Sequence, residues 1–190
     1  MTESQDRQYE MHRELIERCK QHDPRAQCKV YELYYKAMYN ACHRIIQNVT
    51  TAEDVMQEAF LTAFEKIGSF KGESAFGAWL KKIVINKSLD ELKKNRPFFD
   101  PLENSSEALR VPDDDSFSEE EEMELSKKIT RIKQSIALLP DGYRIILSLY
   151  LFEGYDHEEI SEILQISEST SRSQYSRARQ KLLEILHRTF

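Results

Sequence analysis

The chain has 190 residues, 40% hydrophobic and 32% charged, with a formal net charge of −6. That balance suits a soluble helical protein of one large or two small domains. No run nears the roughly eighteen apolar residues of a membrane span, and Met1 to Arg7 lack the apolar stretch of a secretion signal. The charge is unevenly placed: residues 1–96 carry +2, residues 97–126 carry −10 and residues 127–190 carry +2. Two near-neutral bodies flanking an acidic segment say more about partners than the overall charge does.

Taken in chain order, residues 15–20 and 26–46 read as two helices separated at Asp23-Pro24, with Pro24 suited to a first helical position. Val30, Leu33, Tyr34, Ala37, Met38, Ala41 and Ile45 recur at three- and four-residue spacing and are expected to form a core stripe. A third helix is expected over 52–67, opened by the capping-box pattern Thr50-x-x-Glu53 and ended by Gly68. Residues 69–75 form a loop turning at Gly72, and a fourth helix over 76–94 stops before Pro97. Residues 97–122, with three prolines and runs of Asp and Glu, read as a flexible, self-repelling linker. In the second body, Leu125, Ile129, Ile132, Ile136 and Leu139 are spaced as one helix face, and Pro140 to Gly142 break it. A further apolar helix is expected over 144–153, ended by Gly154. No stretch shows the alternation of a half-buried strand, so the fold class is all-α.

The last third has the layout of a helix-turn-helix. Residues 153–168 hold six acidic residues and no Lys or Arg; residues 169–190 hold five basic residues and one acidic. A helix that approaches DNA needs its positive charge on the approaching side, and the helix behind it does not. Two further faces carry chemistry. At about 100° per residue, Asp54, Gln57, Glu58, Leu61 and Glu65 share one arc of the third helix, a polar stripe with a leucine at its centre. Such a stripe is either a solvated face with one stray leucine or a docking surface with an apolar anchor and polar rim. On the fourth helix Lys82, Asn86 and Lys93 line up beside Trp79, after a loop carrying Phe70 and Lys71. Cations beside rings suit single-stranded nucleic acid, although a tryptophan here also fits the core.

Together, Asp54-Val-Met-Gln-Glu-Ala-Phe-Leu61, Ser69-Phe-Lys-Gly72, Trp79-Leu80 and Asn86 resemble region 2 of the sigma-70 family. Leu138-Leu-Pro140, Glu158-Glu-Ile-Ser-Glu-Ile-Leu164, Ser169-Thr-Ser-Arg-Ser173 and Ser176-Arg-Ala-Arg-Gln-Lys-Leu182 resemble region 4. With only a linker between them, the chain is similar to the extracytoplasmic-function (ECF) sigma factors. The resemblance implies region 2 over 12–96, a linker over 97–122 and region 4 over 123–190. It implies that Asp54, Gln57, Glu58 and Leu61 dock on the β′ clamp helices of core RNA polymerase, with region 4 near the β flap. Phe70, Lys71, Trp79, Lys82 and Asn86 would open and hold the −10 promoter element. Arg172, Ser173, Gln174 and Arg177 would face the −35 element, and Arg179 and Lys181 its phosphates. An anti-sigma protein is an expected partner, and the cytoplasm the expected compartment. Departures from the family pattern, Ser169 for a frequent Gly, Ser171 for Val and Tyr175 for an aliphatic, leave the −35 sequence open. They also suggest Ser169 as helix cap and looser packing under the helix, refilled by Tyr175.

Other classes fit less well. A sensor-type helix-turn-helix regulator would need a ligand pocket or phospho-acceptor pattern in the first body, and a sigma-like decoy should lack Arg172, Arg177 and Arg179. For an enzyme, the five histidines are scattered and no phosphate-binding glycine loop occurs. No metal or cofactor is expected. Cys19, Cys28 and Cys42 lack metal spacing and read as reduced structural thiols.

Overall fold

The computed structural model describes residues 3–95 and 119–189, and the side chains of 12–94 and 127–188. The chain divides into two compact units, 1–95 and 96–190. The first holds α1 (Glu3–Lys20), α2 (Pro24–Ile46), α3 (Val49–Glu65), a 3-10 turn (Ile67–Ser69) and α4 (Phe76–Asn95). The second holds α5 (Glu119–Ala137), α6 (Asp141–Leu151), α7 (His157–Leu164) and α8 (Glu168–Thr189). Among the described residues there is no strand. Of the expected linker, residues 97–118 lie outside the described residues, and Glu119 to Glu122 open α5.

In the first unit, the α1–α2 corner is set by Asp23. Its Oδ1 accepts from the backbone of Arg25 and Ala26, and Arg18 donates Nε and Nη2 to its Oδ2 at 2.9 and 2.7 Å. The Arg18 guanidinium, more than any other group, holds the Asp23 carboxyl below its usual range. α2 ends on Gln47 in the left-handed region (φ 62°), and Asn48 starts α3 by accepting from the Thr51 amide at 2.9 Å. The expected Thr50–Glu53 capping box is therefore not the cap. Asn48 offers a short acceptor two residues earlier, and both expected partners fall inside the first turns of α3.

Helices α2, α3 and α4 bury Val30, Met38, Met56, Phe60, Leu80 and Val84. They also share one buried polar tie. Ser88 Oγ lies 2.7 Å from the Val84 carbonyl and 3.2 Å from Cys42 Sγ, and the Cys42 thiol donates to the Ala52 carbonyl at 3.3 Å. Cys19 and Cys42 are buried and Cys28 exposed; burial pushes the Cys19 thiol up to about 11, which suits a structural role. Two expected core positions face out: Leu33 is 54% exposed and Ala37 is exposed, because α2 packs on its neighbours along a narrower stripe than the periodicity implied.

In the second unit, α6 starts earlier than expected. The break after α5 falls at 138–140, and Asp141, which takes Arg144 Nη1 at 2.6 Å, and Gly142 already belong to the first turn of α6. Ile145, Ile146, Leu147 and Leu149 are all buried, as a helix apolar around most of its circumference requires. Of the stripe expected along α5, Ile136 and, just past the helix, Leu139 are covered, whereas Ile129 and Ile132 are 42% and 39% exposed; the side chain of Leu125 lies outside the described residues. Gly154 (φ +77°) ends the α6 region, and Asp156 and Glu159 form a full capping box on α7. Gln165 in the left-handed region and two more residues then turn the chain into α8.

Candidate functional site

Burial of Met56, Ala59, Phe60 and Ala63 turns the opposite side of α3 outward. Asp54, Gln57, Glu58 and Glu65 are exposed there, and Leu61 at their centre is 64% exposed. Lys87 of α4 reaches Glu58 at 3.5 Å. An aliphatic side chain this accessible, ringed by polar groups, is not part of the core.

The loop after the 3-10 turn and the start of α4 are built on an aromatic cluster. Phe70 packs edge-on against Phe76 (centroids 5.3 Å apart) and lies 5.5 Å from Trp79. Tyr34 of α2 meets Phe76 edge-on and bonds His12 Nε2 of α1 at 2.6 Å. Gly77 lets α4 come this close: a Cβ there would sit 2.9 Å from Tyr34 Cε1. Phe70 and Trp79 are half-buried in this cluster, while Lys71, Lys82, Asn86 and Lys93 are exposed. The structure thus divides the expected −10 set into a surface of cations and one amide, and two partly accessible rings that also hold the loop in place.

On α8, Ser171, Gln174, Ala178 and Leu182 point inward and are buried. Gln174, expected among the −35 readers, is only 4% exposed and does not belong to the outward surface. The physical reason is helical phase: at about 100° per residue it lies beside Ser171 and Ala178. Arg172, Ser173 and Lys181 are exposed; Arg177 and Arg179 are half-buried, and Arg179 lies 5.9 Å from the Tyr175 ring centre. Ser169, Ser176 and Gln180, not among the expected readers, share the arc of Arg172 and Ser173 at three- and four-residue steps along the helix.

The helix cap is Ser167, whose Oγ accepts from the Thr170 amide at 3.1 Å, not Ser169, which lies in the first turn. Ser171 does not leave loose packing. Its hydroxyl is 2.9 Å from His157 Nδ1 at the start of α7, and Tyr150 and Tyr175 enclose the imidazole at centroid distances of 5.0 and 5.5 Å. Burial, aided by the charge of Arg172, lowers the His157 pKa from its ordinary value.

A four-helix unit with a polar, leucine-centred face, together with a second unit ending in a helix-turn-helix, defines the class by its architecture: an all-helical chain of two units, the second of helix-turn-helix form. Residues 30–98 match the family model for Sigma-70 region 2, and residues 129–182 match that for Sigma-70, region 4. The chain is 32% identical over 178 residues to the ECF RNA polymerase sigma factor SigW of Bacillus subtilis, covering 90% of this chain and 95% of that one. It is 31% identical over 191 residues to the RNA polymerase sigma-H factor of Pseudomonas aeruginosa, covering 96% and 94%. Its fold is similar to that of CnrH, solved in complex with the cytosolic domain of CnrY (TM-score 0.58, 22% identity, 94% and 99% coverage). The chain belongs to the sigma-70 family, among its ECF members.

Proposed function

We propose that the chain binds core RNA polymerase and directs it to promoters, with the work divided between its two units. The α3 face of Asp54, Gln57, Glu58 and Leu61 docks on the polymerase β′ clamp helices. Lys71, Lys82 and Asn86, with the accessible edges of Phe70 and Trp79, engage the −10 element as it opens. Arg172, Ser173 and Arg177 face the −35 element, with Arg179 and Lys181 near phosphate and the second unit near the β flap. Residues 97–122 join the units. The part of this stretch that precedes α5, residues 97–118, could reach about 75 Å fully extended. One turn of DNA is about 34–36 Å, so a segment of that length would let the two units reach sites more than one turn apart.

The observation that carries this reading is Leu61, left 64% exposed amid acidic and amide groups in a chain of this family. No catalytic step is assigned to the chain, and its place of action is the cytoplasm, where polymerase and promoter are. Among the described residues no helix is long and apolar enough to cross a membrane. An anti-sigma protein is part of the proposal; the structurally similar sigma factor RpoE was solved in complex with the anti-sigma factor NepR from Bartonella quintana. The test is reconstitution: core polymerase, the purified chain and a DNA library randomised in both promoter elements. Transcripts that depend on the chain, from enriched sequences with two spaced elements, support the reading. A folded chain that neither binds core polymerase nor changes its transcripts overturns it.

A further inference from the structure

We infer that Glu168 is a positioning residue for Arg172 and thereby a determinant of −35 specificity, an inference that rests on α8 being the helix that faces the −35 element. Glu168 Oε1 and Arg172 Nη2 form an ion pair on the outward face of the first turns of α8. Their side chains are 48% and 65% exposed, so the pair contributes little to folding. Its placement on the helix is nevertheless favourable. The carboxylate precedes the guanidinium by four residues, the favourable order on a helix, and sits at the first residue of α8, where the helix dipole favours negative charge.

Two features make the pair matter for recognition. First, a carboxylate on a helix face meant for DNA repels phosphate, so Glu168 lowers affinity for every sequence alike. A residue that lowers general affinity while holding the reading side chain raises discrimination. Second, an arginine has a long flexible stem, and contact with a base requires that stem to be ordered. Glu168 engages one guanidinium nitrogen in advance, and the remaining N–H donors suffice for a paired contact with guanine O6 and N7. The backbone beneath is fixed as well: Ser171, fully buried on His157, sets the rotation of α8 and hence the direction in which neighbouring Arg172 leaves the helix.

The experiment is enrichment of a duplex library, randomised over both promoter elements, by holoenzyme assembled from core polymerase and the full chain. Wild type, Glu168→Gln, Arg172→Ala and the double variant are compared. Wild type should enrich guanine at one −35 position, and Arg172→Ala should abolish that preference. Glu168→Gln should retain as much total DNA or more, while its guanine preference at that position falls about two- to fivefold, the range an exposed ion pair can supply. In the Arg172→Ala background Glu168→Gln should leave base preference unchanged. A Glu168→Gln variant that binds all sequences more tightly with guanine preference intact overturns the inference and makes Glu168 a helix-end charge only. If Arg172→Ala leaves every base preference intact, the −35 reading of α8 fails instead, so the two failures are distinct.

Discussion

Leu61→Ala separates folding from docking, because the two respond to different parts of one side chain. Leu61 is 64% exposed, so only about a third of it contributes to the folded state. Full burial of a leucine is worth about 1.5–3 kcal/mol, which leaves about 0.5–1 kcal/mol at stake in folding. Alanine is the better helix former and offsets a few tenths of that. The thermal midpoint of a domain of this size should therefore fall by no more than about 4–8 °C. In a docked complex the remaining two thirds of the side chain would be covered at the centre of the face. Removing such an anchor costs about 1–2 kcal/mol, or roughly five- to thirtyfold in affinity. The assay is titration of the labelled chain with core polymerase. Leu33→Ala serves as control, since Leu33 is 54% exposed on α2, away from the stripe. Three results would refute the reasoning: Leu61→Ala binding as wild type does, equal losses for both variants, or a Leu61→Ala chain that no longer folds.

Three more predictions rest on the local geometry. Gly77→Ala should destabilise the first unit by about 1 kcal/mol net, because crowding against Tyr34 outweighs the helix-propensity gain, whereas Gly68→Ala, with open space around its Cβ, should not; thermal unfolding of both checks this. Asp156→Ala should cost the second unit about 1 kcal/mol in a denaturant titration, since it removes the capping box on α7. The folded-state pKa of His157 is lowered, so the unfolded chain takes up its proton first as pH falls. The stability this residue contributes is complete above the ordinary histidine value, near 6.5, and is lost as pH drops below it. Unfolding midpoints measured from pH 7.5 to 5.5 should fall further for wild type than for His157→Asn, and equal slopes would count against the assignment.

Much of the fold was legible because helical period and punctuation agree. Pro24 at the start of α2, Gly154 after α6 and the acidic-to-basic change across the helix-turn-helix each mark a boundary by a local mechanism. What misled was competition between equally good local signals. Asn48 and Thr50 both offer caps for α3, and Ser167 and Ser169 both offer caps for α8; which one serves depends on where the preceding turn delivers the chain. Periodicity also overstates burial. The spacing of Leu33, Ile129 and Ile132 matches a core stripe, yet whether a neighbouring helix covers them is a tertiary fact. Gln174 shows the converse: motif adjacency to Arg172 and Ser173 placed it with the readers, while helical phase turned it inward.

The charge pattern of the first unit also argues that its two proposed contacts are distinct surfaces. The α3 stripe carries Asp54, Glu58 and Glu65, which repel phosphate, so that face does not suit DNA. The exposed cations Lys71 and Lys82 do suit it. Lys87 is the α4 cation that pairs with Glu58, and at about 100° per residue it stands about 140° around the helix from Lys82. In the proposed division, one side of α4 therefore completes the acidic docking face while another presents charge to nucleic acid. A small helical unit can hold a protein and a DNA strand at once only if the two faces do not compete for the same cations. Lys82→Ala should accordingly reduce −10 opening, read by the fluorescence of a base analogue in that element, without changing affinity for core polymerase. A Lys82→Ala chain that loses polymerase affinity to the same degree as Leu61→Ala would merge the two surfaces and refute the division.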